Sequence, residues 1–82
     1  MKLFRIYQNL NDGYDTYDAA IVAAPDAETA RQMQPGTGDL YGSEHSLSSG
    51  TWAKPEHVGV IEIGEATPGT GQGVLLASFN AG

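Results

Sequence analysis

Residues 19–34, AAIVAAPDAETARQMQ, decide the predicted fold class of this chain. The first five residues are apolar on both faces of an extended chain, which is typical of a central strand covered on both sides. Asp26 follows as a good N-cap, because its carboxylate can accept hydrogen bonds from the unpaired amides of a first helical turn. Residues 25–34 are therefore predicted to form a helix of about two turns. A helix this short is not stable alone in water, so it must pack against a sheet.

Strand patterns lie on both sides of this segment. Residues 2–8 alternate between faces, with Phe4 and Ile6 on one side and Leu3, Arg5 and Tyr7 on the other. A turn cluster then leads into a second strand over residues 14–24. Strands over residues 58–65 and 74–79 follow the helix. The order ββαββ predicts one α+β domain over residues 1–82, with a mixed, mainly antiparallel four-stranded sheet and one short helix. If the second and third strands lie parallel in that sheet, the crossover between them is right-handed.

A long polar loop over residues 35–51 separates the helix from the third strand. Unstructured loops of this length are uncommon in compact domains and are usually functional or disordered. One short helix covers only part of one sheet face, so we expect an apolar face or an edge strand to remain bare. That expectation predicts a homodimer or a partner protein. The alternative is a monomer in which the loop and Trp52 cover the remaining surface.

Composition excludes several classes of function. Ten acidic residues against four basic ones give a formal net charge of −6. Scattered bases make a poor nucleic-acid binder and a poor ligand for anionic membranes, since both need clustered Lys and Arg. The chain has no cysteine, which excludes disulfides and thiolate metal sites and favours a reducing compartment. We therefore predict a cytoplasmic protein, without a secretory signal or a membrane span.

Acidic and aromatic residues alternate before the second strand. Three carboxylates at a spacing of three do not match a calcium loop, and in a strand they fall on opposite faces. Carboxylates interleaved with tyrosines instead indicate a protein-binding surface with aromatic anchors and charge for steering. The predicted contact residues are Asp12, Tyr14, Asp15, Tyr17 and Asp18, with Asp39, Tyr41 and Glu44 of the loop as a second patch and Trp52 as a possible hot spot.

Other motifs carry little chemistry. The glycine-rich residues 69–73 lead into a strand and are followed by no base, so a flexible turn is favoured over a phosphate loop. His45 and His57 both adjoin acids, but no nucleophile elbow is present and their spacing matches no common zinc site. No catalytic residue, metal site or cofactor is predicted. Trp52 and Pro55 are expected to have structural roles.

Three stretches carry a resemblance to a known family. They are YDTYDAAIVAA at residues 14–24, IEIGEA at residues 61–66 and ASFNAG at residues 77–82. The chain resembles a family of small acidic proteins from bacteriophages and prophage-bearing bacteria, over nearly its whole length except the loop. The resemblance implies a phage-related setting in the bacterial cytoplasm and carries over no catalytic residue.

The first functional hypothesis is a non-enzymatic inhibitor of a host complex. Many phage proteins of this size and charge, anti-CRISPR proteins among them, act by binding, and here the acids would occupy a basic host surface. The alternative is an oligomer that binds a small nucleotide-like ligand with glycine-turn amides and Arg5 or Arg31. A third hypothesis is a hydrolase that uses His45 or His57 with a neighbouring acid.

Overall fold

Four strands and one short helix make up the described structure. The computed structural model describes residues 1–9, 16–35, 40 and 52–80. The strands are β1 (Lys2–Tyr7), β2 (Thr16–Ala24), β3 (Gly59–Glu65) and β4 (Gly73–Asn80), and the helix is α1 (Ala27–Gln32). A 3-10 turn, Pro55–His57, precedes β3. An α+β domain with a four-stranded sheet and one short helix agrees with the prediction from sequence.

The strands lie in the order β3-β1-β2-β4 and every neighbouring pair is antiparallel. The predicted mixed sheet in ββαββ order is therefore wrong. The strands β2 and β3 do run in the same direction, but β1 lies between them, so no parallel pair forms. A 3-10 turn also separates α1 from β3.

The helix is held by local capping and is shorter than predicted. The Thr29 amide donates to Asp26 Oδ1 at 2.7 Å, which confirms Asp26 as the N-cap. That hydrogen bond lowers the pKa of the Asp26 carboxyl. The helix ends at Gln32 because Met33 returns to an extended backbone (φ −76°, ψ 142°) and forms a single β-bridge with Leu40.

The core lies between one face of the sheet and the helix. Phe4 and Ile6 point to this side from β1, at 1% and 0% exposure, as the alternation of residues 2–8 predicts. The strand β2 adds Val22, and α1 brings Ala30 against them. The other buried members of the cluster are Ala20, Ala24, Met33, Trp52, Ala53 and Val58.

The link between β3 and β4 is a tight turn. The Thr70 amide donates to the Thr67 carbonyl at 3.1 Å, and Gly69 has a φ of 91°. Pro68 followed by a glycine with positive φ is the pattern of a type II turn, in which only glycine is free of a Cβ penalty. Within the described residues, no helix has the length and apolar character needed to cross a membrane.

Candidate protein-binding face

The sheet face that points away from α1, here called the outer face, follows from the strand alternation. Because Phe4 and Ile6 point into the core, Arg5 between them points outward. The register sets Arg5 opposite Ile21 on β2 and Ile61 on β3. The outer face comprises Leu3, Arg5, Tyr7, Asp18, Ala19, Ile21, Ile61, Ile63, Leu76 and Ser78.

The outer face is apolar and largely exposed. Ile61 is 47% exposed, Ile63 is 50% exposed and Leu76 is 68% exposed. The free face of an antiparallel sheet is usually polar, because it meets water. A contiguous apolar face on a small domain is therefore typical of an interaction surface. The expectation of uncovered apolar sheet surface is met by these described residues.

Arg5 and Tyr7 form a cation–π pair on this face. The Arg5 guanidinium carbon lies 5.0 Å from the centroid of the Tyr7 ring, within the range of a cation–π contact. The Tyr7 ring in turn lies over Gly59 on β3, where an added Cβ would be 2.2 Å from its Cζ atom. Glycine at position 59 therefore lets the ring lie flat on the backbone of the neighbouring strand. The cation–π contact and the glycine together give Arg5 and Tyr7 a defined arrangement on the outer face.

A shallow groove of about 470 Å³ on the outer face includes Arg5 of this pair. Arg5, Asp18, Ile21, Leu76 and Ser78 are among the residues that line it. Asp18 is the extra residue of a β-bulge in β2, and this irregularity brings its carboxylate to the outer face. A hydrogen bond from the Ser78 side chain is the main cause that lowers the pKa of the Asp18 carboxyl, and Arg5 adds to the shift.

Ser78→Ala is expected to raise the pKa of Asp18 toward its ordinary value of 3.8. The lowered pKa in the folded protein means that the carboxylate stabilises the fold above the unfolded pKa, and that this contribution is lost as pH falls through the folded pKa. The variant should weaken this pH dependence. Carboxyl chemical shifts in an NMR titration measure it, with Asp26 as the internal control because Thr29 alone caps it. An unchanged Asp18 titration would contradict the assigned hydrogen bond.

The residues predicted for partner binding are only partly described. Tyr17 is half-buried and packs against the core, and its carbonyl accepts from Gln8 Nε2 at 2.8 Å. Asp18 is exposed. Trp52 is 7% exposed and belongs to the core, the position that its predicted structural role requires. The other predicted contacts lie outside the described residues: Asp12, Tyr14, Asp15, Asp39, Tyr41 and Glu44.

Sequence reasoning did not select the residues that form the outer face. Tyr7 and Arg5 were placed on the side of β1 opposite Phe4, but neither was assigned to a protein-binding surface, and Arg5 was named only for the alternative nucleotide-like ligand. The signal in β3 was the pair Ile61 and Ile63, which flank Glu62 at the two-residue period of a strand. That period indicates two apolar residues on one face, but it does not show that nothing covers them.

The described residues hold no arrangement that points to catalysis. His57 is exposed, and its Nε2 atom lies 3.8 Å from Oε1 of the adjacent Glu56. Over residues 1–9, 16–35, 40 and 52–80, no three His, Asp or Glu side chains come together as a metal site. His45 lies outside those residues. Arg31 is engaged within the fold, because its Nη1 donates to the Val58 carbonyl at 2.8 Å and its Nε lies 3.5 Å from Glu28.

Comparison with known proteins finds no matching family model and no significant match among curated proteins or solved structures. The resemblance to small phage proteins accordingly stays a prediction. The fold and the site define a small α+β domain with an apolar outer sheet face and an ordered arginine–tyrosine pair on it.

Proposed function

We propose that the chain is a non-enzymatic binding protein that docks a partner protein through its outer face. The exposed isoleucines Ile61 and Ile63 beside the Arg5–Tyr7 pair carry this proposal. Burying apolar surface supplies the free energy of most protein associations, and Arg and Tyr are enriched among the residues that contribute most. Because Tyr7 already orders the guanidinium, less side-chain entropy is lost on docking.

The charge distribution indicates what kind of partner docks. The outer face carries one positive and one negative side chain, Arg5 and Asp18, so it is close to neutral. The chain as a whole has a net charge of −6. Its long-range field therefore favours a basic protein, while the contact itself is apolar. Inhibition of a basic host complex in a phage-type, cytoplasmic setting is the form of this function that we propose.

The alternative of a nucleotide-like ligand has less support. The groove beside Arg5 also holds the Asp18 carboxylate, which repels an anion. Arg31, the second predicted anion ligand, is engaged by Val58 and Glu28 on the other side of the sheet. No observation in the described residues favours this function over protein binding.

Affinity capture from bacterial lysate tests the proposal with three matched baits. The wild-type chain is compared with the double variant Ile61→Lys, Ile63→Lys, and with the control Ala27→Lys, Gln72→Lys. All four positions are exposed, and both variants change the net charge by the same amount. The wild-type and the control baits should retain the same partner. The outer-face variant should bind it at least about tenfold more weakly, the effect of losing one or two interface hot spots.

Salt dependence provides a second measurement on the same complex. If the net charge steers the encounter, the association rate with the captured partner should fall strongly as the ionic strength rises. The dissociation rate should change little, because the contact is apolar. Equal binding by the wild type and the outer-face variant would contradict the proposed contact surface.

A further inference from the structure

The groove on the outer face lies beside two rows of residues that cross the sheet. One row joins Arg5 on β1, Ile21 on β2 and Leu76 on β4. The next row places Ala19 on β2 opposite Ser78 on β4. All five residues line the groove. Long side chains in one row therefore stand beside small ones in the next, and this difference in size accounts for the depression.

Tyr7 belongs to the second row but does not fill the groove. The register pairs Tyr7 with Ala19 on one side and with Gly59 on the other. Its ring lies over Gly59, and Tyr7 is not among the residues that line the groove. Because the ring occupies the space above the glycine, the space above Ala19 stays open to a side chain from a partner.

The Asp18 carboxylate gives the groove one fixed negative charge. It accepts hydrogen bonds from the Ser78 side chain and from the amides of Asp18 and Ala19, which together hold it in place. The ion pairs of the described residues do not join Asp18 to Arg5. The Arg5 guanidinium instead lies over the Tyr7 ring. The carboxylate is therefore both positioned and open to a cation from outside the chain.

We propose that the groove binds a lysine or arginine side chain of the partner protein, with its charged head at Asp18 and its apolar stem against Ile21 and Leu76. Charge complementarity selects this occupant, and the net charge of −6 favours the same kind of partner over longer distances. Long basic side chains lay their stems on apolar surface and keep their heads in polar surroundings. The inference rests on the proposed function, because the groove is part of the outer face.

A single basic side chain in this groove is expected to bind weakly. The groove is shallow, and an exposed ion pair changes affinity by up to about fivefold. Arg5 lines the same groove, and its positive charge opposes a second cation. For an isolated amino acid derivative we therefore expect a dissociation constant on the order of 10 mM. Binding this weak is measurable in a chain of 82 residues by NMR.

An NMR titration of the amide chemical shifts tests the occupant with three probes, the Nα-acetyl methylamides of lysine, norleucine and glutamate. The lysine probe should shift the amides of the residues that line the groove. Norleucine keeps an apolar stem without the ammonium group and should bind at least about twofold more weakly. Glutamate should bind most weakly of the three. Equal binding by lysine and norleucine, tighter binding by glutamate, or no shifts in the groove at about 50 mM lysine probe overturns the proposal.

Two matched variants test the role of Asp18. Asp18→Asn and Glu65→Gln each remove one negative charge from an exposed side chain, but Glu65 lies on β3, outside the groove. Circular dichroism of each variant establishes that it is folded. Asp18→Asn should weaken the lysine probe by up to about fivefold and leave norleucine unchanged, while Glu65→Gln leaves both unchanged. Equal losses of lysine binding in the two variants would indicate general attraction to an acidic chain and overturn the proposed site.

Leu76→Ala provides a readout that does not depend on the bulge at Asp18. Leu76 is 68% exposed, and its truncation removes a wall of the groove. The variant should weaken both the lysine and the norleucine probes, and unchanged binding overturns the position of the stem.

The probes and the capture experiment can fail separately. If the lysine probe does not bind but Ile61→Lys, Ile63→Lys loses the captured partner, the proposed function is retained and this inference is wrong. If the lysine probe binds in the groove but that variant keeps the partner, the proposed contact surface is wrong.

Discussion

Phe4→Ala is expected to leave the chain largely unfolded in water. Phe4 is 1% exposed and lies at the centre of the core between β1, β2 and α1. Truncating a buried phenylalanine costs about 3–5 kcal/mol. A chain of 82 residues has a total stability of roughly 4–12 kcal/mol, and short chains tend toward the lower end because they bury less surface. The loss is therefore comparable with the whole stability.

Leu3→Ala is the matched control for this change. Leu3 is the neighbour of Phe4 on β1, but it points to the outer face and is only half-buried. We expect a loss of about 1 kcal/mol or less, since little apolar surface is removed from the core. Urea denaturation followed by circular dichroism measures both variants. Equal losses at positions 3 and 4 would mean that the assignment of the two sheet faces is wrong.

Trp52→Ala is expected to destabilise the fold by about 3–5 kcal/mol, because truncating a buried aromatic side chain loses buried apolar surface and leaves a cavity. Its side chain is 7% exposed and packs in the cluster that holds Met33 and Val58. The ring thus ties the segment that leads into β3 to the core. Trp52→Phe keeps most of the apolar surface and should cost less. Thermal unfolding of the two variants gives the comparison.

The same pair of variants separates two roles for Trp52. If the ring contributes to the core, stability falls in Trp52→Ala and recovers in Trp52→Phe. If the ring is instead a hot spot for a partner, both variants keep the wild-type stability and lose binding. The buried position of the ring favours the first result.

Local features of the fold were predictable from the sequence. The alternation in residues 2–8 placed Phe4 and Ile6 on the same side of β1, which is the buried side, and Asp26 was identified as the N-cap. Both depend on contacts within a few residues along the chain, so a local pattern contains the information. The strand order was not predictable in this way. Whether β3 pairs with β1 or with β2 depends on contacts between distant segments, and both choices place the helix on the same face.

The candidate site likewise combines a feature that was predictable from the sequence with features that were not. A bare sheet face could be expected by comparing one short helix with a four-stranded sheet. The side to which Tyr17 points could not be predicted in this way. A bulge at Asp18 interrupts the alternation between the inward-packing Tyr17 and the outward-facing Ala19. Tyr7, in contrast, lies outward over Gly59, and no short-range pattern relates these two residues.

Composition and periodicity alone predict an acidic, cysteine-free α+β domain with one short helix that is too small to cover its sheet. They do so because charge, amphipathic period and capping are properties of short segments. The all-antiparallel order and the Arg5–Tyr7 pair over Gly59 arise only when distant strands meet. Those features depend on which strand lies beside which, and that choice is made by the packing of the whole core.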